Sequence, residues 1–420
     1  MPTMCGHEPG LLAVHVRAVP GMTPLNARIR QQLQGLRHRR TPAEEKLTDH
    51  GSRPARAPTA PAATRPDKPG GRPTVYFHIG APKTGTTYLQ RIMWHNRDAL
   101  RATGVLYPGD SFGAHVEAAL DLREAGFAGV RDPLMEGRWR EFVDAARAWS
   151  GPVIISQELF SPAEPAQIED AMAALDFADV HLVYTARELS RQIPAAWQED
   201  VKNRFTVRFD EFINEVRNPT AGDHGLGQMF WRMQDPVEVL ARWSGSLPPQ
   251  RVHVVTVSSR GGAPDELWRR FASVVGVEPD SVDLSGAFQN SSLGAAEATF
   301  LRRLNVALDD EVGWPLYNEA VKHYLAQEVL VNRGGALPIK LPAADREWAA
   351  GRSVVMVEGL RAAGYDIVGS LDDLLPTLSG DDSNPDPDGP PVEAQLDVAV
   401  EAIAALLLRI SRQRRGVIPR

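Results

Sequence analysis

The chain has 420 residues, of which 43% are hydrophobic, so it can bury a large core and could form two or three domains. Its net charge of −7 does not favour a nucleic-acid partner, and its single cysteine, Cys5, excludes an intrachain disulfide and argues against a thiol nucleophile or cysteine-based metal site. No apolar run reaches the about 18 residues of a membrane-spanning helix, and the N-terminus lacks a secretory-signal pattern, so we expect a cytoplasmic protein.

Residues 1–73 are rich in Pro, Arg, Ala and Thr and contain 12 Lys and Arg against five Asp and Glu. Such a segment cannot bury enough apolar surface to order itself, so we predict a disordered, basic tail. A basic arm that contacts anionic lipid or a partner is the alternative interpretation.

From Thr74 onward, apolar strand patterns alternate with helical patterns. The strands are predicted at residues 75–79, 153–156, 180–185 and 252–257, and the helices at 86–102, 136–149, 165–175, 188–203 and 264–275. Strands that alternate with helices favour right-handed crossovers and a parallel sheet. We therefore predict an α/β domain over residues 74–378, with a P-loop-like parallel sheet flanked by helices and a mostly helical part from residue 290 onward.

The C-terminal region is predicted to contain an acidic, Pro- and Gly-rich linker at 379–391 and an amphipathic helix at 392–415. The apolar residues of this helix recur at helical spacing, at Leu396, Val400, Ile403, Leu407 and Ile410. The helix is expected to dock on the body of the protein, and the alternatives are self-association through a coiled coil and contact with a membrane surface.

The stretch G-A-P-K-T-G-T-T at residues 80–87 follows the first predicted strand and opens the first predicted helix. Loop amides and a helix dipole form a cradle for an anion, and glycine lets a phosphate approach the backbone closely. In a Walker A loop the lysine follows the second glycine. Here Thr86 follows Gly85, and Lys83 lies inside the loop. The displaced lysine favours a ligand with one 5′-phosphate carrying one further group over a nucleoside triphosphate held with Mg²⁺.

The segment Pro82–Leu89 resembles the 5′-phosphosulfate loop of sulfotransferases that use 3′-phosphoadenosine-5′-phosphosulfate (PAPS), whose pattern is P-K-[TS]-G-T-[TS]-x-L. The resemblance implies sulfuryl transfer with adenosine 3′,5′-bisphosphate as product and no required metal. In that chemistry Lys83 is a catalytic residue that neutralises charge on the bridging oxygen. The residues that the resemblance assigns to cofactor binding in this loop are Pro82, Lys83, Thr84, Gly85, Thr86 and Thr87.

The third predicted strand ends at Arg187, which resembles the second motif of the same family, where a strand-end arginine binds the 3′-phosphate of the cofactor. Guanidinium binds phosphate in a bidentate manner. The family usually has a serine eight residues later, but this chain has Ala195, and Ser190 is a substitute at a different spacing. The segment Asn290–Gly294 resembles a late N-x-S-L-G segment of bacterial members, from which Ser292 is expected to contact the cofactor.

The second predicted strand is followed by Glu158. Heparan-type and many bacterial sulfotransferases use a glutamate after the corresponding strand, so the resemblance makes Glu158 the candidate catalytic base. His78 and His115 are rival bases, although His78 lies within a strand, where a buried structural histidine is the expected role. Because ligands of parallel sheets bind at the carboxyl ends of the strands, loop 80–87, Glu158 and Arg187 are expected on one rim.

Two other functions fit the same residues. The first is a P-loop kinase or NTPase in which Glu158 is a metal-associated or catalytic acid. The second is a catalytically degenerate sulfotransferase fold that serves as a binding protein, an option that Ala195 leaves open. Magnesium dependence and ATP binding would identify the first, and turnover of PAPS would exclude the second.

The acceptor is predicted only as a class, namely a hydroxyl of a carbohydrate, a glycolipid or a small molecule. Its pocket is expected to come from residues 105–135 and 205–235. Trp197, Phe230 and Trp231 are interpreted either as an apolar, sugar-stacking wall of that pocket or as core packing.

Overall fold

The computed structural model describes residues 72–126, 131–220, 224–245, 247–258, 262–285, 292–376 and 386–416. The predicted tail lies outside these ranges except for its last two residues, and so do residues 379–385 of the predicted linker. Asn290 and Ser291 of the late serine segment are also outside them.

Five parallel strands form one sheet, which confirms the predicted α/β class. The strands are β1 (Thr74–His78), β2 (Val153–Ser156), β3 (Asp179–Ala186), β4 (Val252–Thr256) and β5 (Asp366–Val368). Their spatial order is β2-β1-β3-β4-β5. Strands β1, β2, β3 and β4 follow the apolar runs of the sequence because they are buried on both faces. The short edge strand β5 was not predicted, since it contains no fully buried residue.

Helices flank the sheet, and those before residue 290 that were predicted agree with the structure to within two residues, with one exception. The helices of this part are α1 (Thr86–His95), α2 (Arg97–Ala102), α3 (Ala114–Leu122), α4 (Arg138–Arg147), α5 (Pro165–Ala174), α6 (Leu189–Lys202), α7 (Phe209–Arg217), α8 (Leu226–Gln234), α9 (Pro236–Ser244) and α10 (Glu266–Val275). The prediction of one continuous helix over 86–102 was wrong. Asn96 separates α1 from α2, and its side-chain amide donates to the carbonyls of Ile92 and Asp283 at 2.9 and 2.8 Å.

The described residues after 292 are mostly helical, and they also contain β5. They include α11 (Ala295–Leu308), α12 (Trp314–Tyr317), a π-helical segment (Asn318–Val329), α13 (Ala343–Ala363) and α14 (Val392–Arg414). None of the helices in the described ranges is long and apolar enough to cross a membrane.

Helix α14 packs on α11 and on the π-helical segment through Val398 and Ala402, which are both buried. Ion pairs anchor it, because Arg333 binds both carboxylate oxygens of Glu401 at 2.8 and 2.9 Å. The docking face is therefore not the apolar row that the sequence pattern emphasised, and that row remains exposed.

The core beside β1 is built around Phe77, which is fully buried. Its ring lies 4.8 Å from that of Phe160, 5.2 Å from that of Trp243 and 5.7 Å from that of Trp139. This aromatic cluster fixes β1 against the helical layer, and β1 leads directly into the loop at residues 80–85.

Replacing Phe77 with alanine should lower the free energy of unfolding by about 3–5 kcal/mol, because it removes a buried ring and leaves a cavity. Urea denaturation of the purified variant would measure the loss. Phe112→Ala is the matched control, since Phe112 is 44% exposed. If Phe77→Ala lowered the free energy of unfolding no more than Phe112→Ala does, the ring of Phe77 would not be central to this core.

Candidate active site

The loop between β1 and α1 has a backbone that only particular residues tolerate. Gly80 and Gly85 have φ values of 143° and 90°, and Lys83 also has a positive φ, of 65°. A Cβ atom on Gly85 would overlap Cδ2 of Leu267 from α10. The second glycine of the sequence pattern is therefore favoured by the backbone conformation, and a larger residue would also have to move the Leu267 side chain.

Strand β3 and the loop itself satisfy the first two loop carbonyls. The carbonyl of Gly80 accepts hydrogen bonds from the backbone N–H and the hydroxyl of Thr185, at 2.6 and 2.9 Å. The carbonyl of Ala81 accepts from the hydroxyl of Thr84 at 2.6 Å, and the Ala81 N–H donates to the carbonyl of Thr185 at 2.9 Å. The loop is thereby tied to the neighbouring strand along its first half.

Polar side chains from two helices and from the end of β3 satisfy the next two carbonyls. The carbonyl of Pro82 accepts from the amides of Gln192 and Gln234, the latter at 3.3 Å. The carbonyl of Lys83 accepts from Nη1 of Arg187 at 3.1 Å. Four successive carbonyls are thus bonded to the scaffold, while α1 has Gly85 as its N-cap residue and no side-chain cap. The first N–H groups of a helix have no partner within it, so this arrangement suits an anion at the start of α1.

Glu158 lies in a 3-10 turn just after β2 and contacts the first turns of α1. Its Oε2 accepts from Nε2 of Gln90 at 3.0 Å, and its carboxylate also accepts from the hydroxyl of Thr86. Burial raises the pKa of Glu158, although its hydrogen bonds oppose the increase. A carboxylate with a raised pKa beside an uncapped helix N-terminus can act as a general base.

Lys83 forms an ion pair that sequence reasoning missed. Its Nζ lies 3.1 Å from Oε2 of Glu199, which also lies 2.9 Å from Nζ of Lys202, and Lys322 lies 3.5 Å from Oε1 of Glu199. Burial opposes ionisation of Glu199, but the three lysines prevail and hold its pKa well below the usual range. The only signal in the sequence was the spacing of Glu199 and Lys202 by one helical turn.

The two carboxylates at the loop therefore have opposite protonation behaviour. Glu199 is a permanent anion, whereas Glu158 has a raised pKa to which the nearby charge of Glu199 contributes. Carboxylates whose environments separate their pKa values take different roles in many active sites. Of the two, Glu158 is the carboxylate that takes up a proton more readily, and Glu199 pairs with ammonium groups.

Arg187 lies on the same rim, as the sheet topology predicted, and its main contact is the loop carbonyl already described. Burial, assisted by the charge of Arg191, lowers the pKa of Arg187 to about 10, so it remains protonated at neutral pH. Its Nε is buried without a hydrogen-bond partner among the described residues. An anion would offset the repulsion between the two guanidinium groups.

Four residues that were predicted to bind the cofactor have side chains with other surroundings. Three of their hydroxyls form hydrogen bonds within the protein, and the fourth residue is exposed. The hydroxyl of Thr84 is buried and bonds inside the loop and to Thr185, and that of Thr86 bonds to Glu158. The hydroxyl of Ser190 donates to Glu188 at 2.8 Å. Ser292 is exposed. In this structure Thr84 and Thr86 can offer a ligand their backbone N–H groups rather than their hydroxyls.

The rival bases are buried core histidines. Nδ1 of His78 lies 2.8 Å from the hydroxyl of Ser156, and Nδ1 of His115 accepts from the N–H of Ser156 at 3.2 Å. The ring of His115 stacks on Tyr107 with 4.2 Å between centroids. Burial lowers the pKa of each histidine to about 3, so both are neutral and weakly basic at pH 7.

The aromatic residues considered for an acceptor wall belong mainly to the core. Trp197 and Phe230 are buried, and the indole N–H of Trp197 donates to the carbonyl of Val207 at 2.9 Å. Trp231 is half-buried, and its indole N–H donates to the carbonyl of Val216 at 2.7 Å. Core packing is therefore the correct interpretation for Trp197 and Phe230. In the described ranges, no group of three or more His, Cys, Asp or Glu side chains is placed to hold a metal ion.

Comparison with known proteins gives a limited result. No protein-family model matches the chain. No curated protein matches it either. Among solved structures, the chain is similar to a sulfotransferase from Alicyclobacillus acidocaldarius, with 19% sequence identity and a TM-score of 0.36, over 60% of this chain and 97% of that one. At these values the likeness does not identify corresponding residues.

The buried histidines should make the protein sensitive to acid. The pKa of His78 is about 3 in the folded state against an ordinary value of 6.5, so the stabilisation is complete above pH 6.5 and is lost as the pH falls toward 3. Each such histidine should add up to about 1.4 kcal/mol per pH unit to this loss. Urea denaturation at several pH values between 7.5 and 4.5 would measure the slope.

His78→Gln should therefore be less stable than the wild type at pH 7.5 but should lose stability less steeply with acid. The control is His95→Gln, because His95 is half exposed, with a relative side-chain accessibility of 49%. The expectation fails if His78→Gln and the wild type have the same slope between pH 6.5 and 4.5.

Proposed function

We propose that the protein is a PAPS-dependent sulfotransferase that transfers a sulfuryl group to a hydroxyl of a carbohydrate, glycolipid or small-molecule acceptor. The observation that supports this most is the convergence of three groups on one loop. The uncapped start of α1 can bind an anion, Lys83 lies inside the loop, and Glu158 contacts Thr86 at its end. Anion cradle, cation and base are the parts that in-line sulfuryl transfer requires.

The residues present fit the charges of PAPS. Backbone N–H groups of residues 84–87 and the hydroxyl of Thr87 would hold the 5′-phosphosulfate. Arg187, whose Nε has no partner among the described residues, would contact the 3′-phosphate. When bound, PAPS supplies an activated sulfuryl group whose leaving group is adenosine 3′,5′-bisphosphate.

Two side chains carry the chemistry in this proposal. Glu158 accepts the proton of the acceptor hydroxyl, and its raised pKa matches a general base better than an ordinary carboxylate would. Lys83 turns from Glu199 toward the developing negative charge. Glu199 stays paired with Lys202 and Lys322 after Lys83 leaves, so the exchange does not leave its carboxylate without a cationic partner.

One observation favours a P-loop kinase or NTPase as the second candidate. The hydrogen bond between Thr86 and Glu158 places a loop hydroxyl beside a carboxylate, as in the magnesium sites of nucleoside triphosphatases. Against it, Lys83 is on the Glu199 side of the loop and does not follow Gly85. Binding of ATP with Mg²⁺ separates the two candidates.

Calorimetry with purified protein tests the proposal. Adenosine 3′,5′-bisphosphate should bind with a Kd in the micromolar range or below, and ATP with Mg²⁺ should bind at least about 100-fold more weakly. Arg187→Ala should weaken the binding of adenosine 3′,5′-bisphosphate by about 10- to 150-fold, a charge-assisted contact of about 1.5–3 kcal/mol, and should weaken the binding of AMP much less.

Arg251→Ala is the control for this variant, since Arg251 pairs with Asp179 at the opposite end of β3, at 3.1 Å. Preferred binding of ATP with Mg²⁺ would replace the sulfotransferase proposal with the kinase or NTPase. If Arg187→Ala lost the same affinity for both nucleotides, the role of Arg187 would be to hold the loop in place.

Lys83→Ala and Glu158→Gln should separate the two roles. The lysine variant should lose both nucleotide affinity and turnover. Glu158→Gln keeps the shape and removes the base, so nucleotide affinity should stay within about twofold while turnover falls by about 10² or more. The assay would follow the release of adenosine 3′,5′-bisphosphate. It would use an acceptor found by screening hydroxyl compounds.

The wild-type rate should also rise with pH through a pKa above the usual carboxyl range, because the base must be ionised. The control for Glu158→Gln is Glu169→Gln, at an exposed position on α5. Turnover near the wild-type level in Glu158→Gln would exclude Glu158 as the base.

A further inference from the structure

Helix α14 carries an apolar stripe on the side that faces away from the body. The side chains of the stripe are 44–61% exposed even though the helix is docked through Val398 and Ala402. The stripe consists of Leu396, Val400, Ile403, Leu407 and Ile410.

The spacing of the stripe is that of a coiled coil. Successive members are four, three, four and three residues apart, which is the a/d pattern of a heptad repeat. A helix that only covers a globular core shows a broader apolar face. Small residues adjoin the stripe at Ala399 and Ala404, so another helix can approach closely. The stripe is about 21 Å long at 1.5 Å per residue.

The body holds this helix in place, so the stripe is displayed in a fixed orientation. Arg333 binds Glu401 through two hydrogen bonds, and Arg409 pairs with Glu319. The hydroxyl of Tyr324 donates to the carbonyl of Ala405 at 2.9 Å. These contacts prevent the helix from rolling to bury its own stripe.

We propose that two copies of the chain pair through this stripe as an antiparallel, two-fold symmetric coiled coil. The start of α14 is acidic, at Glu393 and Asp397, and its end is basic, at Arg412 and Arg414. Antiparallel pairing brings the acidic end of one helix beside the basic end of its partner and opposes the two helix dipoles. Parallel pairing would place like charges together. A two-fold axis near Ile403 buries the same stripe on both copies.

The charge pattern disfavours a membrane surface as the occupant. Helices that lie on anionic membranes carry Lys and Arg along their polar face. Here Glu393, Asp397 and Glu401 occupy the first half of the helix, and basic side chains are confined to the second half. An antiparallel second copy of α14 would place a basic half beside each acidic half.

Analytical ultracentrifugation of the full chain tests the pairing. The wild type should sediment as a dimer at micromolar concentration, and Ile403→Glu should be monomeric with an unchanged circular dichroism spectrum, because Ile403 is 58% exposed. Val355→Glu is the matched control, since Val355 is 55% exposed on α13, and it should remain dimeric. A monomeric wild type at about 100 μM, or a dimer that survives Ile403→Glu, would overturn the proposal.

Disulfide trapping tests the orientation in a Cys5→Ser background. Ala404 lies beside the proposed axis, so Ala404→Cys should form a covalent dimer on oxidation. Ser411→Cys should not, because antiparallel pairing separates its two copies along the stripe. Efficient trapping at residue 411 would show a parallel arrangement and overturn the antiparallel one. Flotation of monomeric wild-type protein with phosphatidylglycerol vesicles would identify a membrane as the occupant instead.

Discussion

The backbone of residues 80–83 is fixed by hydrogen bonds to its four carbonyls, and the candidate site depends on that constraint. The donors come from β3, from the loop itself, from α6 and α8, and from Arg187 at the end of β3. With the carbonyls bonded to the scaffold, the loop enters α1 at an uncapped N-terminus, and Lys83 is placed in a backbone conformation that sets where its side chain can reach. The aromatic cluster around Phe77 holds the strand that delivers the loop.

Glu158 and Glu199, on two sides of this loop, have environments that shift their pKa values in opposite directions. Burial makes Glu158 reluctant to ionise, while three ammonium groups keep Glu199 charged. Neither property follows from the residue type, since both are glutamates. The difference in pKa follows from position. Glu158 lies just after β2, whereas Glu199 lies on α6 beside lysines from the loop, from α6 itself and from the π-helical segment.

Local patterns in the sequence were sufficient to predict four of the five strands, the loop and the rim. Four strands are apolar runs buried on both faces, and the loop has glycines where positive φ is required, so periodicity and spacing identified them. Strand β5 was missed because it is short and lies at an edge. The direction of the Thr84 and Thr86 hydroxyls depends on neighbours that only the fold supplies.

Long-range contacts and docking faces were the parts that the sequence did not determine. Glu199 forms ion pairs with Lys83, which is 116 residues away in the chain, and with Lys322 of the π-helical segment. No local sequence pattern connects these residues. For α14, hydrophobicity pointed to the row from Leu396 to Ile410. The body instead contacts the smaller side chains Val398 and Ala402, and the ion pairs of Glu401 and Arg409 accompany that contact.

Under the proposed function, Glu199 competes with the bound anion for Lys83, because the two side chains already form an ion pair. Any anionic ligand that recruits Lys83 must displace a carboxylate that is already in place, so its measured affinity is the difference between two ion pairs rather than the strength of one. The same carboxylate takes the lysine back when the ligand departs. In the proposed reaction the pair would therefore weaken the binding of substrate and product alike, and would favour rapid exchange at the site over tight retention.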